Sequence, residues 1–171
     1  HTTVAMSDVI HDLSTTQDNY IRTIKTLSYR KLGNSDQIID ANRIMSYDNE
    51  IINYPYSIEK ELLHAFQMGW KKELENEIEN FFNYLSRSST TIYLVHQQIR
   101  LLISNLIFTV MQSGIDPWEL YNDRDLYEEL KSINQINSIK EWLILDVVDK
   151  FIERINELQD IEYRRIVNDV Y

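Results

Sequence analysis

The sequence predicts a mainly α protein, a helical bundle preceded by a short β-α-β element. Three observations carry that expectation. Apolar residues recur at helical period from residue 57 to about 160. The chain has 171 residues but only 3 Gly and 2 Pro, too few for the tight turns of a sandwich or barrel. The β-prone segments are confined to the first 40 residues.

The elements follow in order. Thr2 to Met6 is short and β-prone. Ser14 and Gln17 have capping-box spacing, so a helix is expected to open at Ser14. Tyr20, Ile24 and Leu27 then fall at helical period, and Gly33 stands where a left-handed cap would end that helix. Gln37-Ile38-Ile39 reads as the second strand. Residues 41–56, with Tyr47, Tyr54, Pro55 and Tyr56, read as a connector.

Ser57 is expected to cap the first bundle helix, with Ile58, Leu62, Leu63 and Phe66 inward and a break at Gly69. The next helix carries Leu74, Ile78, Phe81, Phe82 and Leu85, and 86–90 reads as a loop. Thr91 to Gln112 is the longest apolar stretch. Its apolar residues occupy more than one face, which suits the centre of a bundle. Gly114 ends it. Asp116 followed by Pro117 is an N-cap with Pro at the first helical position. Short helices carrying Trp118 and Leu120, then Leu126, Leu130 and Ile133, follow. Ser138 and Glu141 form a second capping-box spacing that opens the last long helix. There Ile144, Val148, Phe151, Ile155 and Leu158 are spaced 4, 3, 4, 3, a seam of about two heptads. The seam would pack inside its own bundle or pair with a second copy.

Composition narrows function. With 43% apolar and 26% charged residues, the chain is globular rather than disordered. Cys is absent, which excludes disulfides, thiolate metal sites and cysteine nucleophiles. Lys plus Arg is 17 against 27 Asp plus Glu, a net charge of -10. That sign disfavours tight binding of phosphate backbones and anionic membrane surfaces. No secretory signal pattern stands at the start, and no uninterrupted apolar window of membrane-spanning length occurs. The 23 Ile, 14 Asn and 3 Ala point to coding bias, making Ile the default core residue. Ile161, Ile166, Val167 and Val170 continue a helical apolar side to the last residue without a stop signal. The expectation is a piece of a longer protein.

Candidate chemistry is sparse. Glu61 and His64 have the spacing used in di-iron bundles, but that site needs a second copy and two more carboxylates. A half-buried helix histidine is the expectation. Asp123, Asp125, Asp146 and Asp149 do not form an aspartate-rich box and read as a solvated face. No G-x-S-x-G elbow exists. Phe81, Phe82 and Tyr84 read as core rather than as a ligand pocket. No cofactor, no metal and no catalytic residue is expected.

Two stretches resemble one family when taken together. Val4 to Leu13, Tyr20 to Gly33 and Gln37 to Ile39 resemble the end of the degenerate GGDEF-like subdomain of AraC-type bacterial transcription regulators. Ser7, Tyr20, Leu27, Tyr29, Arg30, Gly33, Ile38 and Ile39 carry the match. The sequence departs from it at Ile24, where the family often has Ala, with Thr23 and Thr26 beside it. Tyr54-Pro55-Tyr56 through Gly69, with Phe81-Phe82-Asn83-Tyr84-Leu85 beyond, is similar to the helical region that follows in the same regulators. Arg164 to Tyr171 resembles the entry to their helix-turn-helix domain.

The resemblance implies four parts. These are a subdomain end at 1–40, a connector at 41–56, a regulatory bundle at 57–160, and at 161–171 the start of a helix leading to a DNA-binding domain outside this chain. It implies a non-catalytic relay in the cytoplasm, in a parent that is either free or membrane-anchored. Its partners would be the parent's own input and DNA-binding domains and a second copy. DNA would be met only through the outside domain, and a membrane not directly by this segment. Ile144, Val148, Phe151, Ile155 and Leu158 would then be the dimer or coupling face. The alternative is a helical domain that senses a small molecule in its own pocket.

Overall fold

The computed structural model describes residues 2–7, 9–31, 36–41, 53–88 and 91–158. The fold is mainly α, as expected, with a short two-stranded parallel sheet near the start. It divides into two compact units, His1–Tyr54 with Leu85–Gln98, and Pro55–Tyr84 with Ile99–Tyr171.

In the first unit, β1 (Thr3–Met6) and β2 (Gln37–Asp40) pair in parallel, with Val4 opposite Ile38 and Ala5 opposite Ile39. Parallel pairing requires a crossover, and α1 (Thr16–Thr26) supplies it. The expected capping box at Ser14 does not form. Asp12 caps a 3-10 turn (Leu13–Thr15) instead, its carboxylate accepting the Ser14 N–H at 2.9 Å. That turn delays α1 to Thr16. Helix α1 leaves Tyr20, Ile21 and Ile24 exposed and buries Thr26. The opposite face of the sheet is bare too, with Ile38 71% exposed. Residues 85–98 complete this unit. Arg30 O accepts the Ile92 N–H at 3.2 Å, and the Tyr29 and Tyr93 rings stack at 4.7 Å. Gly33, residues 42–52 of the connector and residues 161–171 lie outside the described residues.

The second unit holds the bundle. Helix α2 (Tyr56–Met68) starts one residue before the expected cap at Ser57, with Pro55 at the N-cap position. Gly69 ends it at φ +69, in the left-handed region where a Cβ is disfavoured. Helix α3 (Lys71–Ser88) runs three residues into the expected loop. Helix α4 (Ile92–Gln112) is long and apolar enough to cross a membrane, but 56% of its most apolar window is buried inside the protein. Gly114, at φ +76, follows α4 as expected. Asp116 caps the short α5 (Pro117–Leu120), accepting the Trp118 N–H at 2.9 Å. Asp125 caps α6 (Leu126–Ser132) through the Tyr127 and Glu128 N–H groups.

The last helix opens as α7 (Ile136–Trp142), two residues before the expected cap at Ser138, with Gln135 at the N-cap. It then widens into a π turn over Leu143–Val148 and resumes as α-helix through 149–158. The bundle core takes Leu62 and Phe66 from α2, Leu74, Ile78 and Phe81 from α3, and Ile99, Leu102, Ile103 and Leu106 from α4. The last helix adds Leu143, Val147 and Phe151, and each of these side chains is fully buried.

Candidate functional site

The described residues concentrate polar contacts around the π turn of the last helix. The α5–α6 loop makes this possible. Asn122 and Asp123 take positive φ, 53° and 56°. Asn and Asp tolerate that region better than other side chains. The chain reverses there and presents Arg124.

Arg124 works as a fork. Its Nε donates to Glu129 Oε1 at 2.6 Å and its Nη2 to Glu129 Oε2, while its Nη1 donates to Asp146 Oδ1 at 2.8 Å. The indole Nε1 of Trp142 donates to Glu129 Oε2 at 3.0 Å. One guanidinium therefore joins the loop to α6 and to the π turn, and Glu129 extends the network to α7. Bidentate carboxylate pairing suits Arg because its planar donors are fixed in direction. The Arg124 hydrogen bond holds the Glu129 carboxyl below its ordinary value, against partial burial, and the Trp142 bond acts in the same direction as Arg124. The Glu129 and Asp146 hydrogen bonds raise the Arg124 guanidinium above its own ordinary value.

The adjacent residue of the π turn is braced too. Tyr121 is buried, and its hydroxyl donates to Val147 O at 3.3 Å. Burial pushes its phenol well above the ordinary range. π turns leave backbone carbonyls in displaced positions and recur at functional sites. Side chains from one loop region thus hold both Asp146 and Val147.

Helices α2 and α3 grip the same last helix. Phe66 and Phe151 stack at 4.1 Å between ring centroids. Lys71 pairs with Asp149 at 2.9 Å, and Lys140 with Glu79 at 2.8 Å. A Cβ on Gly69 would sit 3.5 Å from Ile155 Cγ2. Behind them Asn105 donates to the buried carboxylate of Glu59 at 2.8 Å.

The seam residues are placed unevenly. Val148 and Phe151 are buried, Ile144 and Ile155 are half-buried, and Leu158 is exposed. The buried stripe runs through Leu143, Val147, Val148, Phe151 and Ile152. The wide π turn shifts the helix face by one residue, so a heptad count drawn through it leaves the core side.

Three of the four aspartates read as a solvated face have partners instead. Asp146 meets Arg124, Asp149 meets Lys71 and Asp125 caps α6, while Asp123 holds a strained loop position. The only sequence signal was the opposite charge of Arg124 beside two of these acids. Glu61 is exposed, and His64 is exposed with its ring edge-on to Trp70 at 5.4 Å. Among the described residues no three His, Asp or Glu side chains are grouped to hold a metal ion. Phe81 and Phe82 are core, their rings 6.3 Å apart, and Tyr84 is half-buried.

A cavity of about 410 Å³ opens beside the Arg124 fork. It is lined by Ile107 and Met111 of α4, by Asp116, Pro117, Trp118 and Tyr121, and by Arg124, Asp125, Leu126 and Tyr127. None of these residues was expected to form a pocket from sequence.

No model of a known protein family matches the chain, and no solved structure matches it. One curated protein is similar along nearly the whole chain, the uncharacterised HTH-type transcriptional regulator YtdP of Bacillus subtilis (strain 168). Identity is 19% over 167 residues, which is 98% of this chain and 22% of that protein. The chain spans about a fifth of the relative's length. The similarity makes the chain a distant relative of part of a transcriptional regulator.

Proposed function

We propose that this chain is a non-catalytic regulatory module of an AraC-type bacterial transcription regulator, relaying an input signal to a helix-turn-helix domain outside it. The observation that carries the reading is the similarity itself, since 98% of this chain aligns with a 22% piece of an HTH-type regulator. The relay is assigned to the last helix. The Arg124 fork, the Tyr121 hydroxyl and the Phe66–Phe151 stack hold it from several directions. A braced helix transmits displacement that a flexible linker would dissipate. Its exposed end, from Asn156 to Leu158, is the stretch assigned to the output side or to a second copy in a cytoplasmic dimer.

Inserting Gly-Gly after Leu158 in the full-length parent tests the relay. Transcription from a target promoter should become insensitive to the input signal while the protein stays folded. An unchanged signal response would overturn the rigid-output reading.

A second reading is favoured by the cavity beside the Arg124 fork. In it the module senses a small molecule itself, and the ligand acts on the same brace, because Arg124 is at once a cavity wall and the anchor of Asp146.

A further inference from the structure

We infer that the cavity lined by the C-terminal half of α4, α5 and the start of α6 binds a small organic cation with an apolar or aromatic body, of the aryl- or alkylammonium class. The inference deepens the small-molecule reading above and rests on it.

Size and lining come first. About 410 Å³ lies within the roughly 300–1,000 Å³ typical of small-molecule pockets. Ile107, Met111 and Trp118 give it apolar walls. Trp118 is 65% exposed and Met111 58%, so a large apolar surface stands open to whatever enters. An apolar body would cover it.

Charge then selects among apolar ligands. The wall includes the carboxylates of Asp116 and Asp125. Each uses Oδ1 to cap a helix, Asp116 for α5 and Asp125 for α6, which holds it in a fixed orientation. Neither Oδ2 has a hydrogen-bond partner among the described residues, so each can face a ligand. The cation on the wall, Arg124, is already held by Glu129 and Asp146. An anion entering the cavity meets two carboxylates and no free guanidinium. A neutral ligand gains at most a hydrogen bond to a carboxylate oxygen and no charge pairing. A cation gains both the carboxylates and an aromatic face. Tyr127 already carries the Arg100 guanidinium 5.7 Å from its ring centroid, and its hydroxyl lies 3.0 Å from Ser104 Oγ. The indole of Trp118 is therefore the π surface assigned to the ligand.

The test is an NMR titration of the isotope-labelled chain with benzyltrimethylammonium, benzyl alcohol and benzoate at constant ionic strength. The expected result is saturable shifts at the Trp118 indole N–H for the ammonium compound, with benzyl alcohol and benzoate about tenfold weaker or worse. Asp116→Asn and Asp125→Asn keep a capping side chain and remove the charge, so each should weaken the ammonium severalfold without unfolding the helices. Trp118→Ala should weaken it by about tenfold. Benzoate or benzyl alcohol binding as well as the cation would overturn the ligand class while leaving a small-molecule sensor standing. No saturation with any of the three compounds would overturn both. Self-association that buries Trp118, seen by sedimentation and lost in Trp118→Ala, would overturn the small ligand in favour of a second copy. Unchanged ammonium affinity in both Asp→Asn variants would also overturn the class.

Discussion

Arg124 and Asp146 lie 22 positions apart in sequence, yet Nη1 of one donates to Oδ1 of the other at 2.8 Å. The bond joins a loop held by two left-handed residues to the wide turn of the last helix. That turn marks the change of face that defeats a simple heptad count. The same guanidinium forks onto Glu129, which also accepts from Trp142. Loss of the fork should loosen three segments together.

Arg124→Lys tests this directly. A lysine keeps the charge but cannot donate to two carboxylates with fixed geometry. The partly solvated network should lose ~1–2 kcal/mol, at the low end for charge-assisted hydrogen bonds. Urea denaturation reads it as a lower midpoint with an unchanged slope. A midpoint equal to wild type would show that the fork contributes no net stability.

Phe151→Ala should cost ~3–5 kcal/mol, the range for a large core side chain. Part of that is the stack with Phe66, worth ~0.5–1.5 kcal/mol beyond area burial. A double-mutant cycle with Phe66→Leu isolates the pair. Leu158→Ala, at an exposed position, should leave monomer stability within ~0.5 kcal/mol. If Leu158 serves a dimer, the same change weakens association in sedimentation instead.

Gly69→Ala separates backbone strain from crowding. A Cβ there meets Ile155 Cγ2 at 3.5 Å, an ordinary contact, so space exists. The φ of +69 is the obstacle, and it should cost ~1–2 kcal/mol. Gly69→Asn should recover part of that loss, because Asn visits the left-handed region more readily. Thermal melts of the two variants give the order, and equal losses would point to packing instead.

The acid limb of stability should involve Glu129. Its carboxyl in the folded protein titrates below its ordinary value of 4.5. A lowered folded value means the stabilisation is fully present above the unfolded value and is lost as pH falls through the folded one. Melting temperature should therefore drop below about pH 4.5, and Glu129→Gln should flatten part of that drop while lowering stability at neutral pH. Melts from acid to neutral pH compare the slopes.

The chain alone should bind duplex DNA only weakly. Its 27 acidic residues outnumber 17 basic ones, so binding would release few counterions and would meet net charge repulsion. Fluorescence anisotropy at ~150 mM salt should show no sub-micromolar complex. A sub-micromolar complex would place DNA contacts in this chain rather than in a domain outside it.

Sequence by itself determined the fold class and most elements of the bundle. Apolar residues at helical period located α3 and α4, because a helix that buries one side or several must repeat that way. Gly69, Gly114 and the Asp116-Pro117 step marked helix ends correctly, since each acts through the backbone conformation of one or two residues. The β-α-β order of residues 1–40 was legible for the same local reason, while the structure supplied the parallel pairing of its strands. Tertiary structure decided the rest. Ser14, Ser57 and Ser138 were plausible caps, but a cap is worth only ~1 kcal/mol, and packing set the helix starts one or two residues away. The exposure of Tyr20 and Ile24 shows that period alone does not choose which surface covers a helix. The π turn, the Arg124 fork and the cavity beside Trp118 had no periodic or short-range signature. They exist because packed helices bring side chains 5 to 26 positions apart within hydrogen-bonding distance, and that proximity is a property of the folded chain rather than of any local stretch of it.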